Sequence, residues 1–185
     1  QALPASKRTR ALLAYLVLTT RPHRRDRLCE LFWEIPDDPR GSLRWSLSKL
    51  RPILNSDEQI RVNADRERVT FVSEGVSIDM QEVDDVLADE NAPLDKLQQT
   101  LTYIEKPFLD GIDLPEQELF QRWLTAERLE VEKIKSKLLA RLSKHTELSI
   151  TEQLANTREL LELSPYDTGA ASQLISLLDR LGETE

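Results

Sequence analysis

Cysteine is nearly absent: Cys29 is the only one in 185 residues, so no internal disulfide can form, and no metal-ligand partner lies near it in the sequence. A reducing, cytoplasmic compartment is the corresponding expectation. Histidine is almost as scarce, with only His23 and His145, too few for the common zinc sites. Five glycines supply neither a phosphate loop nor a dinucleotide fingerprint. The carboxylate pairs Asp84-Asp85 and Asp89-Glu90 read as exposed helix faces. No enzyme activity, metal or cofactor is therefore expected. Long apolar runs are missing too. The longest, Ala11 to Leu18, falls far short of the ~20 residues a bilayer span needs, so no membrane association is expected. Lys7, Arg8 and Arg10 precede that run as in a signal peptide, but Thr19-Thr20-Arg21 follows it where a small-residue cleavage site would stand. Methionine occurs only as Met80, so the chain is expected to be a fragment or a processed product.

What is present suffices for a packed core in one or two domains: 39% of residues are hydrophobic. Charge is divided along the chain. Residues 1–76 hold 14 Lys/Arg and 10 Asp/Glu, a net of +4, whereas residues 77–185 hold 11 and 23, a net of −12. Within residues 1–52 the balance is 11 basic to 5 acidic, the local excess that a phosphate-binding surface needs even in an acidic protein. A solvated helical surface would show the same excess, so the order of elements has to decide.

Ser6 can cap a first helix carrying Leu12, Leu13, Leu16 and Val17 at helical spacing, stopped at Arg21-Pro22. A second helix, about Arg25 to Trp33, buries Leu28, Leu31 and Phe32 and ends before Ile35-Pro36. Asp37-Asp38-Pro39 then opens a third, with Asp38 as cap and Pro39 in the first turn, running to about Leu54. Leu43, Leu47, Leu50 and Leu54 fall in one arc of that helix, with Ser42, Trp45, Ser48 and Lys49 opposite. A large aromatic facing away from the core either reads a ligand or packs on a neighbouring surface. Two alternating segments, Ile60–Val62 and Val69–Val72, joined by polar residues 63–68, predict a β-hairpin. Three helices, the third with a basic outer face, and then a hairpin form the order of a winged helix-turn-helix.

Beyond Gly75 the pattern is helical only. Val83, Val86 and Leu87 mark one helix, and Leu94, Leu97, Leu101 and Ile104 the next. A long one runs from about Glu116 to near His145. Two more, at about 151–163 and 167–181, are divided by Ser164-Pro165 and ended by Gly182. Paired helices of these lengths resemble tetratricopeptide repeats, although the sequence holds no clean repeat. The expected fold is therefore mainly α, with a winged helix and its β-hairpin wing in residues 1–76 and an all-α, tetratricopeptide-like domain in 77–185.

The segment Lys7-Arg8-Thr9-Arg10-Ala11-Leu12-Leu13-Ala14-Tyr15-Leu16 resembles the first helix of the Streptomyces antibiotic regulatory protein type of transcription regulator, and Leu28 to Leu31-Phe32-Trp33 its second. Asp38-Pro39-Arg40, Ser42-Leu43-Arg44 and Leu47-Ser48-Lys49-Leu50-Arg51 resemble its recognition helix. Pro107-Phe108-Leu109-Asp110-Gly111, Phe120 with Trp123-Leu124, Glu127-Arg128 and Leu160 to Pro165 follow in the order of its bacterial transcriptional activator domain. The resemblance implies an activator that binds promoter direct repeats as double-stranded DNA through an OmpR-like winged helix, assists RNA polymerase and can pair as a homodimer on DNA. Three departures stand out. The short strands that usually precede the first helix are missing or lie upstream of residue 1, Arg24 stands where Ser or Thr often caps the second helix, and Tyr166-Asp167-Thr168-Gly169 lacks the glutamate expected after Pro165.

On this reading Arg44, Trp45, Ser48 and Lys49 are the candidates for base readout. Arginine and lysine pair with guanine edges, serine with several bases, and an aromatic ring can meet a thymine methyl. Arg24, Arg25, Arg51, Arg66 and Arg68 are the candidates for phosphate contacts. The acidic helical part is expected to bind protein, with Pro107-Phe108-Leu109 and Phe120 with Trp123 as core or seam residues. The rival reading is a protein-interaction or regulatory module of a larger protein, whose winged helix no longer binds DNA and whose Trp45 is buried against a partner.

Overall fold

A computed structural model describes residues 2–33 and 38–182. The chain divides into two compact units, Gln1–Ser77 with Leu109–Ala126, and Ile78–Phe108 with Glu127–Glu185. Among the described residues the protein is mainly helical, with one small antiparallel sheet.

The first unit opens with α1 (Lys7–Thr19), whose cap Ser6 accepts from the Thr9 amide. Its buried side, Ala11, Leu12, Tyr15 and Leu16, follows the 3.6-residue period. Next come β1 (His23–Arg24), α2 (Arg25–Phe32), α3 (Pro39–Leu54), β2 (Val62–Ala64) and β3 (Arg68–Phe71). Asp38 caps α3 by accepting from the Gly41 amide at 2.7 Å, and Pro39 fits the first turn because its missing N–H would have no intrahelical acceptor there. The expected stop of α2 at Ile35-Pro36, and Asp37, lie outside the described residues. Leu43, Leu47 and Leu50 turn the buried side of α3 inward, and α2, which buries Leu28 and Phe32, packs against α3. Ser46 shares that side, which its polarity concealed. It is 2% exposed and accepts a 3.1 Å hydrogen bond from the Thr9 hydroxyl, so the polar group is buried with its partner.

The sheet has the order β1-β3-β2. Val62 pairs with Phe71, Asn63 with Thr70 and Ala64 with Val69, which sends Val62, Val69 and Phe71 to the core. Two expectations need correction here. The hairpin's leading strand, β2, begins at Val62, leaving Ile60 61% exposed, because the Asn55 side chain accepts from the amides of both Arg61 and Val62 and sets where pairing starts. The polar connection shrinks to Asp65, Arg66 and Glu67, since Asn63 and Ala64 pair as strand residues and Arg68 begins β3. β1 has no counterpart in the sequence pattern: two residues are too few for alternation to register. No strand precedes α1 among the described residues.

The assignment of residues 109–126 to the helical part also changes. Phe120 is fully buried with its ring 5.0 Å from Phe32, and Trp123 lies 4.9 Å from Tyr15, so these aromatics complete the core of the first unit. They belong to the first turns of α6 (Glu118–Leu142).

The second unit holds α4 (Asp79–Ala88), α5 (Leu94–Tyr103), the later part of α6, α7 (Ile150–Leu163) and α8 (Thr168–Leu181). Val83, Leu97, Ile104, Val131, Leu138 and Leu142 form its main core, with Phe108 packed against it. Leu139, Leu160 and Ala170 make a smaller cluster with the α7–α8 hairpin. α7 starts with a capping box, Ser149 and Glu152 each bonding the other's backbone amide. Asp167 caps α8 through the Ala170 amide, and Gly182 closes it at φ 71°, a conformation that glycine adopts without strain. Asp84, Asp85, Asp89 and Glu90 are all exposed. Among the described residues no helix is long and apolar enough to cross a membrane.

Candidate nucleic-acid interface

The phase of α3 decides which side chains reach solvent. With Leu43, Ser46, Leu47 and Leu50 buried, Arg44, Trp45, Ser48 and Lys49 stand together on the outer face. Trp45 is 53% exposed and the Lys49 ammonium sits 5.5 Å from its ring centroid, a cation–π contact worth about 0.5–1 kcal/mol at such an open site. The Ser48 hydroxyl donates back to the Trp45 carbonyl at 2.6 Å. Arg44 is 3.6 Å from the Asp38 carboxylate, both well exposed, a pairing too screened to hold the guanidinium firmly. Beside this face opens a cleft of about 590 Å³ touched by Ser6, Arg8, Trp33, Ser42 and Trp45.

The five arginines expected at phosphates gather around one hairpin. Arg66 lies in the β2–β3 turn and Arg68 begins β3, both exposed. Arg24, in β1, is the register partner of Arg68, so two like charges stand directly opposite each other across the sheet. That placement is unfavourable unless something negative lies between them. Arg25 donates its Nε to the Asp65 carbonyl at 2.8 Å and its amide to the Glu67 carbonyl at 2.8 Å, fastening the start of α2 to the turn. Arg51, near the end of α3, reaches the Ala64 carbonyl at 3.5 Å. As the N-cap residue of α2, Arg24 makes no side-chain capping bond, which leaves its guanidinium available.

Two carboxylates temper this charge, Asp65 and Glu67. Asp65 accepts from the amides of Arg68 and Glu67 at 2.7 Å each, and these bonds hold its carboxyl below the usual carboxylate range. It therefore stays ionised, shaping the turn while offsetting one arginine.

Several basic residues near this face are already engaged. Arg40 donates to Asp26 at 2.7 Å, which links α2 to the start of α3. Arg61 spreads over the Val72 and Glu74 carbonyls and the Gln59 side chain, so it serves the hairpin base. The residue that sequence reasoning missed is Asn55. As the C-cap of α3 it holds the start of β2 through two amides and so fixes where the turn arginines stand relative to α3. An Asn just past a helix was the signal available for it.

Cys29 is buried, and burial pushes its thiol pKa up, the state of an unreactive packing residue. Among the described residues no cluster of His, Cys, Asp or Glu could hold a metal ion. No model of a known protein family matches this chain, and no curated protein matches it.

Proposed function

We propose that this chain is a sequence-specific DNA-binding transcription regulator. Its first unit would act as a winged helix-turn-helix, with α3 in the major groove and the β2–β3 hairpin as the wing. The single observation that carries this reading is the juxtaposition of Arg24 and Arg68 beside Arg25, Arg51 and Arg66, next to a helix face that exposes Trp45 and Lys49. Like charges set opposite one another cost stability in the free protein, and a phosphate between them relieves that cost. Following the family resemblance, the activity is activation at direct repeats, with two copies on DNA and the second unit contacting protein partners such as RNA polymerase.

Selection of bound sequences from random DNA by the intact chain tests the reading. Arg44→Ala and Lys49→Ala should change the selected sequence. Arg66→Ala with Arg68→Ala should weaken all sites alike and make the slope of log K against log salt shallower by about one unit per lost contact. An unchanged slope would remove the wing, and an unchanged profile would remove α3 as the reader.

A second reading, a protein-interaction module without DNA binding, draws on one observation: Arg44, Ser48 and Lys49 each have a partner within α3 or its cap. These partners are weak and exposed, which is why DNA binding is preferred. No DNA enrichment at low salt, where electrostatic affinity is greatest, would reverse the preference.

A further inference from the structure

The second unit carries surface depressions that the DNA reading does not use. One depression of about 360 Å³ lies among α5, α6 and α7, floored by Leu101, Leu142 and Leu148. Another of about 270 Å³ is lined by Ile104, Pro107, Phe108, Val131 and Leu163, together with the charged Lys106, Arg128 and Glu132. Both are bordered by Glu105 and Lys135, so the two depressions adjoin, with an acidic and a basic residue between them. The basic one is already neutralised. Lys135 is only 19% exposed and holds Glu159 at 2.5 Å. Glu105 is exposed and has no ion-pair partner among the described residues. Glu152 adds a second carboxylate at the rim of the first depression, and its hydrogen bonds from the Ser149 amide and hydroxyl keep it ionised.

We propose that these adjoining depressions dock an extended peptide of the pattern Leu-x-Lys-x-Leu, with an aliphatic side chain in each depression and the cation against Glu105 at the junction. In an extended chain alternate residues face the same side, so this spacing presents two apolar groups with a positive charge between them. A compact ligand would fill one depression and leave the other wet. A nucleic acid would meet unpaired carboxylates, in a unit that holds 10 Lys/Arg against 19 Asp/Glu, a net of −9. Gln98 and Asn156 border the first depression with amides suited to a peptide backbone. The inference stands apart from the DNA reading, because every residue it uses belongs to the second unit.

The test is fluorescence anisotropy of the full chain at physiological salt with a fluorescein-labelled peptide Gly-Leu-Ser-Lys-Ser-Leu-Gly. Two control peptides carry serine at both leucines or glutamate at the lysine. Saturable binding of the first peptide, with each control about tenfold weaker or worse, is expected. Glu105→Lys, which reverses the junction charge, and Ala155→Trp, which fills the first depression from an exposed position on α7, should each weaken binding about tenfold with helicity by circular dichroism unchanged. Equal binding of the serine control would reveal bulk attraction to an acidic surface and overturn the proposal. Unaltered affinity in both variants, or no saturable binding at all, would overturn it equally.

Discussion

His23 is 4% exposed, with its ring 4.9 Å from Tyr15 and its Nε2 2.7 Å from the Thr19 hydroxyl. That hydroxyl gives its one proton to the Tyr15 carbonyl at 2.5 Å, so Nε2 must carry a hydrogen and donate to it. Burial, and after it the charge of Arg21, pushes the imidazole below its ordinary 6.5. The unfolded chain therefore takes up a proton more readily than the folded one. The contribution is complete above about 6.5 and is lost as pH falls from there through the lower folded value. The urea midpoint should decline across that window in the native protein and stay flatter in His23→Gln. Equal declines in both would assign the slope to other groups. At Phe120 the expectation concerns volume. The ring is fully buried between Phe32 and Trp123, so Phe120→Ala should cost about 3–5 kcal/mol of unfolding free energy. A loss under about 1 kcal/mol, where surface substitutions fall, would mean that this aromatic cluster does not hold the first unit together.

Among elements, the joints are made by single polar side chains. Asn55 links α3 to β2 through two amide donors, and removing its carboxamide leaves both half-buried amides without an acceptor. Asn55→Ala should cost about 1–3 kcal/mol and speed hydrogen exchange at Val62 and at Val72, whose amide bonds the Arg61 carbonyl, before it affects α1. Exchange that rises uniformly across the first unit would contradict a local joint. Arg141 does the corresponding work in the second unit, where its guanidinium donates to the carbonyls of Val86, Asp89 and Glu90 at 2.8–3.2 Å and closes the end of α4. A planar fork of donors can reach several carbonyls at once and a lysine ammonium cannot do so in the same geometry. Arg141→Lys should therefore recover little of the melting temperature lost in Arg141→Ala.

For the molecule as a whole, the division of the chain into units decides which pieces can stand alone. Residues 1–76 contain every candidate DNA contact, yet the rings of Tyr15 and Phe32 are covered by Trp123 and Phe120. A fragment ending at residue 76 should expose that aromatic face, bind a hydrophobic dye and melt without a cooperative transition, while the intact chain does neither. A cooperative melt of the short fragment at the temperature of the first unit would show that residues 109–126 are dispensable. The charge division at residue 76 does not coincide with the division into units, and the −12 of residues 77–185 cannot favour DNA at close range. The proposed DNA binding would therefore have to be localised by the arginines around one hairpin and not by net charge.

Helices were the legible part of this protein, because a buried stripe at period 3.6, a side-chain cap and a following proline or glycine are all local. Ser6, Asp38 and Gly182 mark helix ends in the sequence and do so in the fold. The outer face of α3 was legible for the same reason: once the leucines fix the phase, Trp45 and Lys49 have only one side to occupy. Three features came from tertiary contacts. β1 has two residues and exists only because β3 lies beside it. Asn55 sets the start of the hairpin through bonds to residues six and seven positions on. Residues 109–126 join the first unit because Phe120 and Trp123 find Phe32 and Tyr15 more than 80 positions earlier, a pairing that no local period encodes. The sequence by itself determined the helices, their phases and the sign of charge along the chain, all set by neighbours within a few residues. The tertiary structure alone decided which distant aromatics share a core and which arginines meet across a sheet, since burial and register depend on elements far apart in the chain.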